Sequence, residues 1–389
     1  MTVCIVGWAH TKFGKLENED AESLIKKVTQ ESLDDAGLAA SDIDAVYLGH
    51  YNNGLSTQDF TSSLVLQADK AFRFKPATRV ENACATGSAA IHQGINFIRA
   101  RQGRFVLVVG VEKMSHLPSA EVANILQRAC YMKEEATIEG GFAGIFAGIA
   151  QAYFRRHGDQ SDALARIAAK NHRNGASNPL AHLQKDLGYD FCRNVSEKNP
   201  MVAPPLKRTD CSPISDGAAA VVLCDLDTAL TLQKAVAFRA AAHVNDFLPM
   251  SLRDMTFLEG AKMAWQKAYS EAGVSVKDLD LVETHDCFTM AELMEYEAMG
   301  LTPRGEGARA ILEGWTEKEG VLPVNPSGGL KSKGHPIGAT GVSMHVLAAM
   351  QATGSAPAGI QVKDASLAGL FNMGGAAVVN YVSILEAVR

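Results

Sequence analysis

The chain repeats itself, and an internal repeat constrains a fold more tightly than any single motif. DAGLAASDIDAV (residues 35–46) aligns without gaps on EAGVSVKDLDLV (residues 271–282), an offset of 236. The helical face before it agrees, with Ile25, Val28, Ser32 and Ala36 falling on Ala261, Ala264, Ala268 and Ala272. ATG at residues 85–87 returns at residues 339–341, an offset of 254, and GAAAVV (217–222) returns as GAAVVN (375–380), an offset of 158. The fall from 254 to 158 means that the first half carries about 96 residues that the second lacks, between the helix after Cys84 and the strand after Gly217. A subdomain inserted over residues 113–213 accounts for them, with turn chemistry at Asn174-Gly175, Asn178-Pro179 and Pro204-Pro205. The predicted units are then an N-terminal half (1–112 with 214–225), the insertion, and a C-terminal half (226–389).

Each half reads as helix, strand, helix, strand, with apolar strands such as FVLVVG (105–110) and AAVVNYV (376–382). Continuous apolar strands between helices predict α/β layers whose sheets are covered on both faces. Two such halves stacked give a five-layered α/β/α/β/α duplication. The apolar stretch from Ala136 to Ala150 contains Glu139 and is too short to span a bilayer. Its Gly140, Gly144 and Gly148, four apart, predict a helix packed closely on another. A net charge of −6 with no block of basic residues argues against nucleic acid and anionic membranes as partners. Seven scattered cysteines without CxxC spacing point to a reducing compartment, with neither a disulfide framework nor a metal site. Met1 runs straight into the strand-like VCIVG, and EAVR is no peroxisomal signal, so a cytoplasmic location is expected.

Cys84 opens a helix in the small-residue context ENACATGSAA (81–90), followed by the face Ile91, Ile95, Ile98 and stop signals at Arg99, Arg101 and Gly103. The positive end of the helix dipole and free backbone N–H groups there favour thiolate. The plainer alternative is a small buried hydrophobe, the usual fate of a free cysteine. Three more segments depart from ordinary scaffold. NPSGGLKSKGHPIGATG (325–341) places His335 just before the helix that matches the Cys84 helix. ETHDCFTMAE (283–292) follows a strand and carries His285 and Cys287, and the glycines of FNMGGAA (371–377) allow backbone N–H groups to approach a ligand. A thiol nucleophile needs a base close by, and histidine suits it. The duplication brings Cys84 and His335 to related helix starts, able to converge on one cleft. His10, His50, His172 and His182 have no comparable setting.

ENACATGSAA, ETHDCF, GGLKSKGHPIGATG and NMGGAA, in this order, resemble the thiolase superfamily, specifically thiolases of the sterol-carrier-protein type and bacterial acetyl-CoA acetyltransferases related to them. The resemblance covers essentially the whole chain, and GHPIGATG is its most specific part. It implies that Cys84 is the acylated nucleophile and that His335 activates it and helps bind the thioester oxygen. His285 stands where many thiolases have an asparagine that holds an oxyanion-hole water. The N–H groups of Cys84 and Gly374 would form a second oxyanion hole. Where well-known thiolases carry an acid/base cysteine two residues before the last Gly-Gly pair, this chain has Asn372, and Cys287 looks like the replacement.

By the same resemblance the insertion covers coenzyme A, Ser212 contacts its pantetheine, and no cofactor is permanently bound. Arg155, Arg156, Lys207 and Arg208 are candidates for the phosphates, although paired basic residues are more often solvated surface. A homodimer or tetramer is implied, and some bacterial relatives work with a small OB-fold partner. Two alternatives remain at this level: a condensing acyltransferase of the same fold acting on a non-CoA acceptor, and a non-catalytic acyl-CoA-binding subunit. The first generally lacks GHPIGATG, and the second would be expected to have lost Cys84, Cys287 or His335.

Overall fold

The computed structural model describes residues 1–389. Eleven strands follow the chain as β1 (Val3–His10), β2 (Ala45–Gly49), β3 (Ala77–Val80), β4 (Val106–Glu112), β5 (Met201–Ala203), β6 (Leu206–Lys207), β7 (Gly217–Asp225), β8 (Val236–Asn245), β9 (Leu281–Glu283), β10 (Leu367–Gly374) and β11 (Val379–Ala387). Nine of them line up in the order β3-β2-β4-β7-β1-β8-β11-β10-β9, while β5 and β6 form a separate hairpin.

The duplication is written into the pairing. In the first half β2 runs parallel to β4, β4 antiparallel to β7, and β7 antiparallel to β1. In the second half β9, β10, β11 and β8 repeat those relations in that order. β3, parallel to β2, has as its counterpart only the Val282–Val324 bridge. The two half-sheets are joined along β1 and β8 by the pairs Cys4–Ala237 and Ile5–Val236.

The 236-residue offset holds to single hydrogen bonds. Helices Ala21–Ala36 and Glu259–Ala272 both end on left-handed glycines, Gly37 and Gly273. Asp44 then accepts from Phe105 N at 3.0 Å, and its counterpart Asp280 from Leu367 N at 2.8 Å. These aspartates tie each helix-to-strand turn to the next strand, which is why DIDAV and DLDLV are so alike.

Helices Ala21–Ala36 and Glu259–Ala272 cover the outer faces, while Thr86–Arg99 and Ile337–Ala352 pack together between the sheets. The central crossing depends on the ATG repeat. A Cβ on Gly87 would meet Val342 N at 2.7 Å and Gly341 N at 2.8 Å, and one on Gly341 would run into Ser88. The repeated glycine therefore meets itself across the pseudo-twofold, and any side chain there would push the two helix starts apart.

The third repeated motif is placed differently. Gly217 pairs with Glu112 at the start of β7, whereas the residue opposite Gly374 at the start of β11 is Val379. The second-half equivalent of GAAAVV thus begins four residues beyond Gly375, and residues 375–378 make the turn before β11. Alanine and valine are interchangeable on a buried strand, so short apolar runs align equally well in several registers. The glycines at spacing four also do not form a packing stripe. Gly140 and Gly141 precede the helix Phe142–His157, both with positive φ.

The first half runs from Glu112 to Gly217 where the second runs only from Gly374 to Val379, so the extra chain lies between β4 and β7. Its long helices are Phe142–His157 and Ser161–Ala176. The second of these packs on Thr289–Ala298, Gly307–Leu312 and Gly329–Lys333, which belong to the other half. No helix is long and apolar enough to cross a membrane.

Candidate active site

Cys84 sits two residues before the helix Thr86–Arg99, at the floor of the cleft between the halves. The turn that presents it is tightly made. Asn82 N donates to Thr86 Oγ1 at 2.8 Å, and Ala85 N and Thr86 N donate to the carbonyls of Asn82 and Ala83 at 3.1 Å each. Ala83 pays for this shape with φ +49, a left-handed conformation that costs alanine about 1–2 kcal/mol. Gly374 lets β10 come close, since a Cβ there would lie 2.6 Å from Asn82 O. The backbone N–H groups that reach the Cys84 sulfur are its own and that of Gly375, the residue after Gly374.

Both histidine segments reach the cleft because buried carboxylates tie them together. Glu283 accepts from Ser327 N at 3.1 Å and Ser327 Oγ at 2.6 Å. Asp286 accepts from Leu330 N at 2.5 Å and Lys331 N at 3.1 Å. These bonds clamp ETHDCF to the chain that leads into His335. Asn171, from the insertion, donates to Asp286 at 2.7 Å and to Glu292 at 2.6 Å, and Lys170 forms a fully buried ion pair with Glu292. The insertion is therefore fixed to the second half through the residues that carry the histidines. Removing one partner from such a network costs roughly 3–5 kcal/mol.

Cys84, His285 and His335 bring sulfur and ring nitrogens to within 4.8 Å of one another. The two imidazoles meet edge to face at 5.1 Å and 87°. His335 Nδ1 lies 2.6 Å from Thr340 Oγ1, whose own hydrogen goes to Pro336 O at 3.0 Å. The hydroxyl must then accept from Nδ1–H, which leaves Nε2 of His335 as a bare acceptor facing the cleft with no protein partner. Burial and Lys333 push the His335 imidazolium down to about 3, so it stands as a neutral base.

Burial also decides the state of Cys84. It pushes the thiol up to about 12, with Glu112 and Glu81 adding to the rise and the Gly375 N–H opposing it. The expectation that the helix start favours thiolate is thus outweighed in the resting enzyme by desolvation. The sign follows. With the thiol high and His335 low, the neutral pair is the resting form near pH 7, and thiolate grows as pH rises. Alkylation of Cys84 by iodoacetamide should be slow at pH 7 and rise about tenfold per pH unit up to pH 9, read by peptide mass. A flat rate over that range would restore the dipole's dominance.

Cys287 is buried and lines the same pocket, and its carbonyl accepts from Ser212 N at 2.9 Å. Ser212 is itself part of the lining. Burial raises the Cys287 thiol well above its ordinary value, and Cys84 adds to the rise. Of the four basic residues, Lys207 is buried against Asp210 at 2.9 Å and Arg156 pairs with Asp254 at 3.3 Å, while Arg155 and Arg208 are exposed.

The remaining walls are apolar: Tyr51, Leu126, Ala129, Phe142, Phe146, Phe288 and Ile337 enclose about 130 Å³. Phe146, from the insertion, stacks on Phe288 at 4.5 Å and 22°. Sequence reasoning passed over these, and also over Glu112. Its carboxylate accepts from Tyr51 N at 3.0 Å, Asn52 N at 3.1 Å and Gly338 N at 3.0 Å, and it pairs with His50 at 3.1 Å. It ties the ends of β2 and β4 to the helix after His335. A charge closing the all-apolar run FVLVVGVE was the available signal.

A half-buried cysteine beside a neutral imidazole acceptor and backbone donors, in an apolar cleft of a duplicated α/β fold, is the equipment of an acyltransferase that uses a cysteine. Residues 3–227 match the family model described as "Thiolase, N-terminal domain", and residues 241–387 match "Thiolase C-terminal domain-like". An acetyl-CoA acetyltransferase of Methanothermobacter thermautotrophicus is 35% identical over 96% of both chains. Sterol carrier protein 2 of Bos taurus is 32% identical over 97% of this chain and 71% of its own length. The benzoylsuccinyl-CoA thiolase subunit BbsB of Thauera aromatica is 31% identical over 93% of this chain and 91% of its own. A solved Ltp2-ChsH2(DUF35) aldolase chain shares the fold at a TM-score of 0.85 and 21% identity, covering 100% of this chain and 98% of that one. The chain belongs to the thiolase family.

Proposed function

We propose that this thiolase cleaves and forms 3-ketoacyl-CoA through an acyl-cysteine on Cys84. The observation that carries the reading is the neutral Cys84 thiol set against the bare Nε2 of His335, with Cys287 on the same floor. Cys84 gives its proton to His335 Nε2, and the sulfur adds to the 3-keto carbon. The C2–C3 bond breaks, its electron pair passes to C2, and the Cys287 thiol protonates that carbon to release acetyl-CoA. Free coenzyme A then loses its thiol proton to the Cys287 thiolate and attacks the acyl-cysteine. Cys84 leaves as thiolate and regains its proton from His335.

Negative charge on the 3-oxygen is held by the backbone N–H groups of Cys84 and Gly374, with the Gly375 N–H reaching the Cys84 sulfur beside them. His285 and His335 hold the thioester oxygen. Each such donor lowers the barrier by about 3–4 kcal/mol. No resident cofactor takes part, and coenzyme A is substrate, with Ser212 on the pantetheine path.

A cavity of about 150 Å³ takes a benzene ring, so a pocket of about 130 Å³ suits acyl groups of a few carbons or one ring. The test is a panel of 3-ketoacyl-CoA substrates assayed for CoA-dependent cleavage. Short chains should be preferred, and Phe146→Ala should shift kcat/KM toward longer chains by about 10–200-fold. An absence of CoA-dependent cleavage across the panel would overturn the reading.

The units 1–112 with 214–225, 113–213 and 226–389 are the proposed organisation, with the insertion as the cover over coenzyme A. A homodimer or tetramer working in lipid metabolism in the cytoplasm completes it. β3 ends the sheet with one side unpaired, and Phe60 and Phe74 near it are 83% and 89% exposed, which supports a second copy there. Light scattering should give at least twice 41.5 kDa. A small OB-fold partner is also proposed, supported by the DUF35 component in the name of the structural neighbour.

A further inference from the structure

We propose that Asn372 is a positioning residue that fixes the hydrogen of His285 on Nε2, holding the two active-site histidines in opposite tautomers. The function of that arrangement rests on the thiolase reading, but the arrangement itself does not. Asn372 was notable from sequence only for what it lacks, a proton to transfer. Its surroundings give it a positive task.

The amide of Asn372 has three partners. Oδ1 accepts from Ser88 Oγ at 2.8 Å, and Nδ2 lies 3.2 Å from the carbonyl of Cys84 and 2.8 Å from Nδ1 of His285. The Cys84 carbonyl can only accept, so the NH₂ end must face it, and the flipped amide would set two acceptors against each other. The second hydrogen of that NH₂ then points at His285 Nδ1, which has to be the acceptor. A neutral imidazole that accepts at Nδ1 carries its hydrogen at Nε2.

His285 is neutral on independent grounds. It is fully buried, so desolvation disfavours its charged form, and Lys333 and the His335 ring oppose a further positive charge, while Cys84, Asp286, Cys287 and Glu295 are its other titratable neighbours. Its Nε2 is buried without a protein partner, as is Nε2 of His335. Two unpartnered ring nitrogens thus belong to the cluster around Cys84, His335 on the pocket wall and His285 buried behind it, and they are not equivalent. Thr340 makes His335 Nε2 an acceptor, and Asn372 makes His285 Nε2 a donor.

The pairing of roles fits two tasks in one small space. An acceptor is needed to take the Cys84 proton, and a donor is needed for the thioester oxygen as the C2–C3 bond breaks. If both nitrogens were acceptors, the oxygen would meet two lone pairs. If both were donors, nothing would take the proton. The same tautomer makes the trio a poor site for a thiophilic cation despite its spacing of 4.8 Å, because a metal ligand must offer a lone pair at Nε2. Asn372 further joins the nucleophile's own carbonyl to the donor histidine through one amide.

The test is nitrogen-15 NMR of the resting enzyme labelled at its 11 histidines, since bare and hydrogen-bearing ring nitrogens resonate far apart. The His285 signal is assigned by its loss in His285→Asn. His285 should carry hydrogen at Nε2 and His335 at Nδ1, and this measurement needs neither substrate nor a variant at Asn372. Asn372→Leu, of similar volume, should release His285 into a mixture of both tautomers. It should lower kcat by about 10²–10³-fold, the loss of one oxyanion donor, with a much smaller change in KM. Hydrogen at Nδ1 of His285 in the parent would overturn the proposal. So would an Asn372→Leu enzyme that keeps the parent's His285 signal, because any loss of activity would then be one of packing. Absence of thiolysis in the parent, with the tautomers as stated, would overturn the functional reading and leave the positioning role standing.

Discussion

Cys84→Ala is expected to abolish turnover while leaving the protein folded. Losing the nucleophile of an acyl-transfer enzyme costs on the order of 10⁶ in kcat, and no other group here can take its place. His335 faces the cleft with a bare nitrogen and would make only a short-lived acyl-imidazole, His285 carries its hydrogen on the nitrogen that could react, and Cys287 is needed with its proton. The structural cost is small by comparison. Cys84 is partly exposed at the pocket floor, and its sulfur takes only backbone N–H contacts. The turn it occupies is held by Asn82, Ala83 and Thr86 through bonds that alanine keeps. The measurement is transfer of the acetyl group from acetyl-CoA to the protein, located by peptide mass. Label on Cys84 in the parent and none in the variant is the expected pair of results. Label on Cys4, Cys130, Cys192, Cys211, Cys224 or Cys287 would sink the assignment.

Much of the fold was legible because duplication writes the same constraint twice. The offset of 236 survives to individual aspartates, since Asp44 and Asp280 each tie a helix-to-strand turn through a side-chain oxygen that accepts from the neighbouring strand. ATG was legible because only glycine fits where the two central helices touch. The third motif slipped by four residues because alanine and valine on a buried strand carry no such constraint. At the site, histidine and cysteine announced themselves by residue type. What stayed hidden was the set that acts through others. Thr340, Asn372 and Glu112 matter for the direction of a hydrogen or the anchoring of a turn, and neither leaves a mark on spacing. The state of Cys84 was hidden for a related reason. A helix start is visible in sequence, but the protein that later closes around the sulfur comes from Gly375 in another segment and from the pocket walls.

Cys287→Ala is expected to slow proton transfer at the α-carbon by about 10²–10⁴-fold, the span of general acid–base catalysis, with far less effect on acylation of Cys84. The asymmetry follows from which group each step uses. Acylation from acetyl-CoA needs the Cys84 proton to reach His335, a pair the change leaves untouched, and coenzyme A is able to leave as a thiolate without the proton that Cys287 would give it. Exchange of the α-hydrogen needs a group that gives and takes a proton beside C2. Asn372 at the other side of the floor has none to give, being committed as a donor to Cys84 O and His285 Nδ1. Burial raises the Cys287 thiol well above its ordinary value, so the resting form is the protonated one that the cleavage direction requires. A thiolate formed there by giving up its proton would be a strong base, suited to take the next proton from coenzyme A. The variant is not expected to unfold, because the Cys287 backbone, through its carbonyl to Ser212 N and its N–H to His285 O, keeps both bonds of 2.9 Å. The experiment compares burst acylation by acetyl-CoA with exchange of the α-hydrogens into deuterated solvent, in parent and variant. A variant that exchanges as fast as the parent would make Cys287 a packed cysteine, and the proton carrier would then be His335, the one remaining neutral base with a free nitrogen in the cleft.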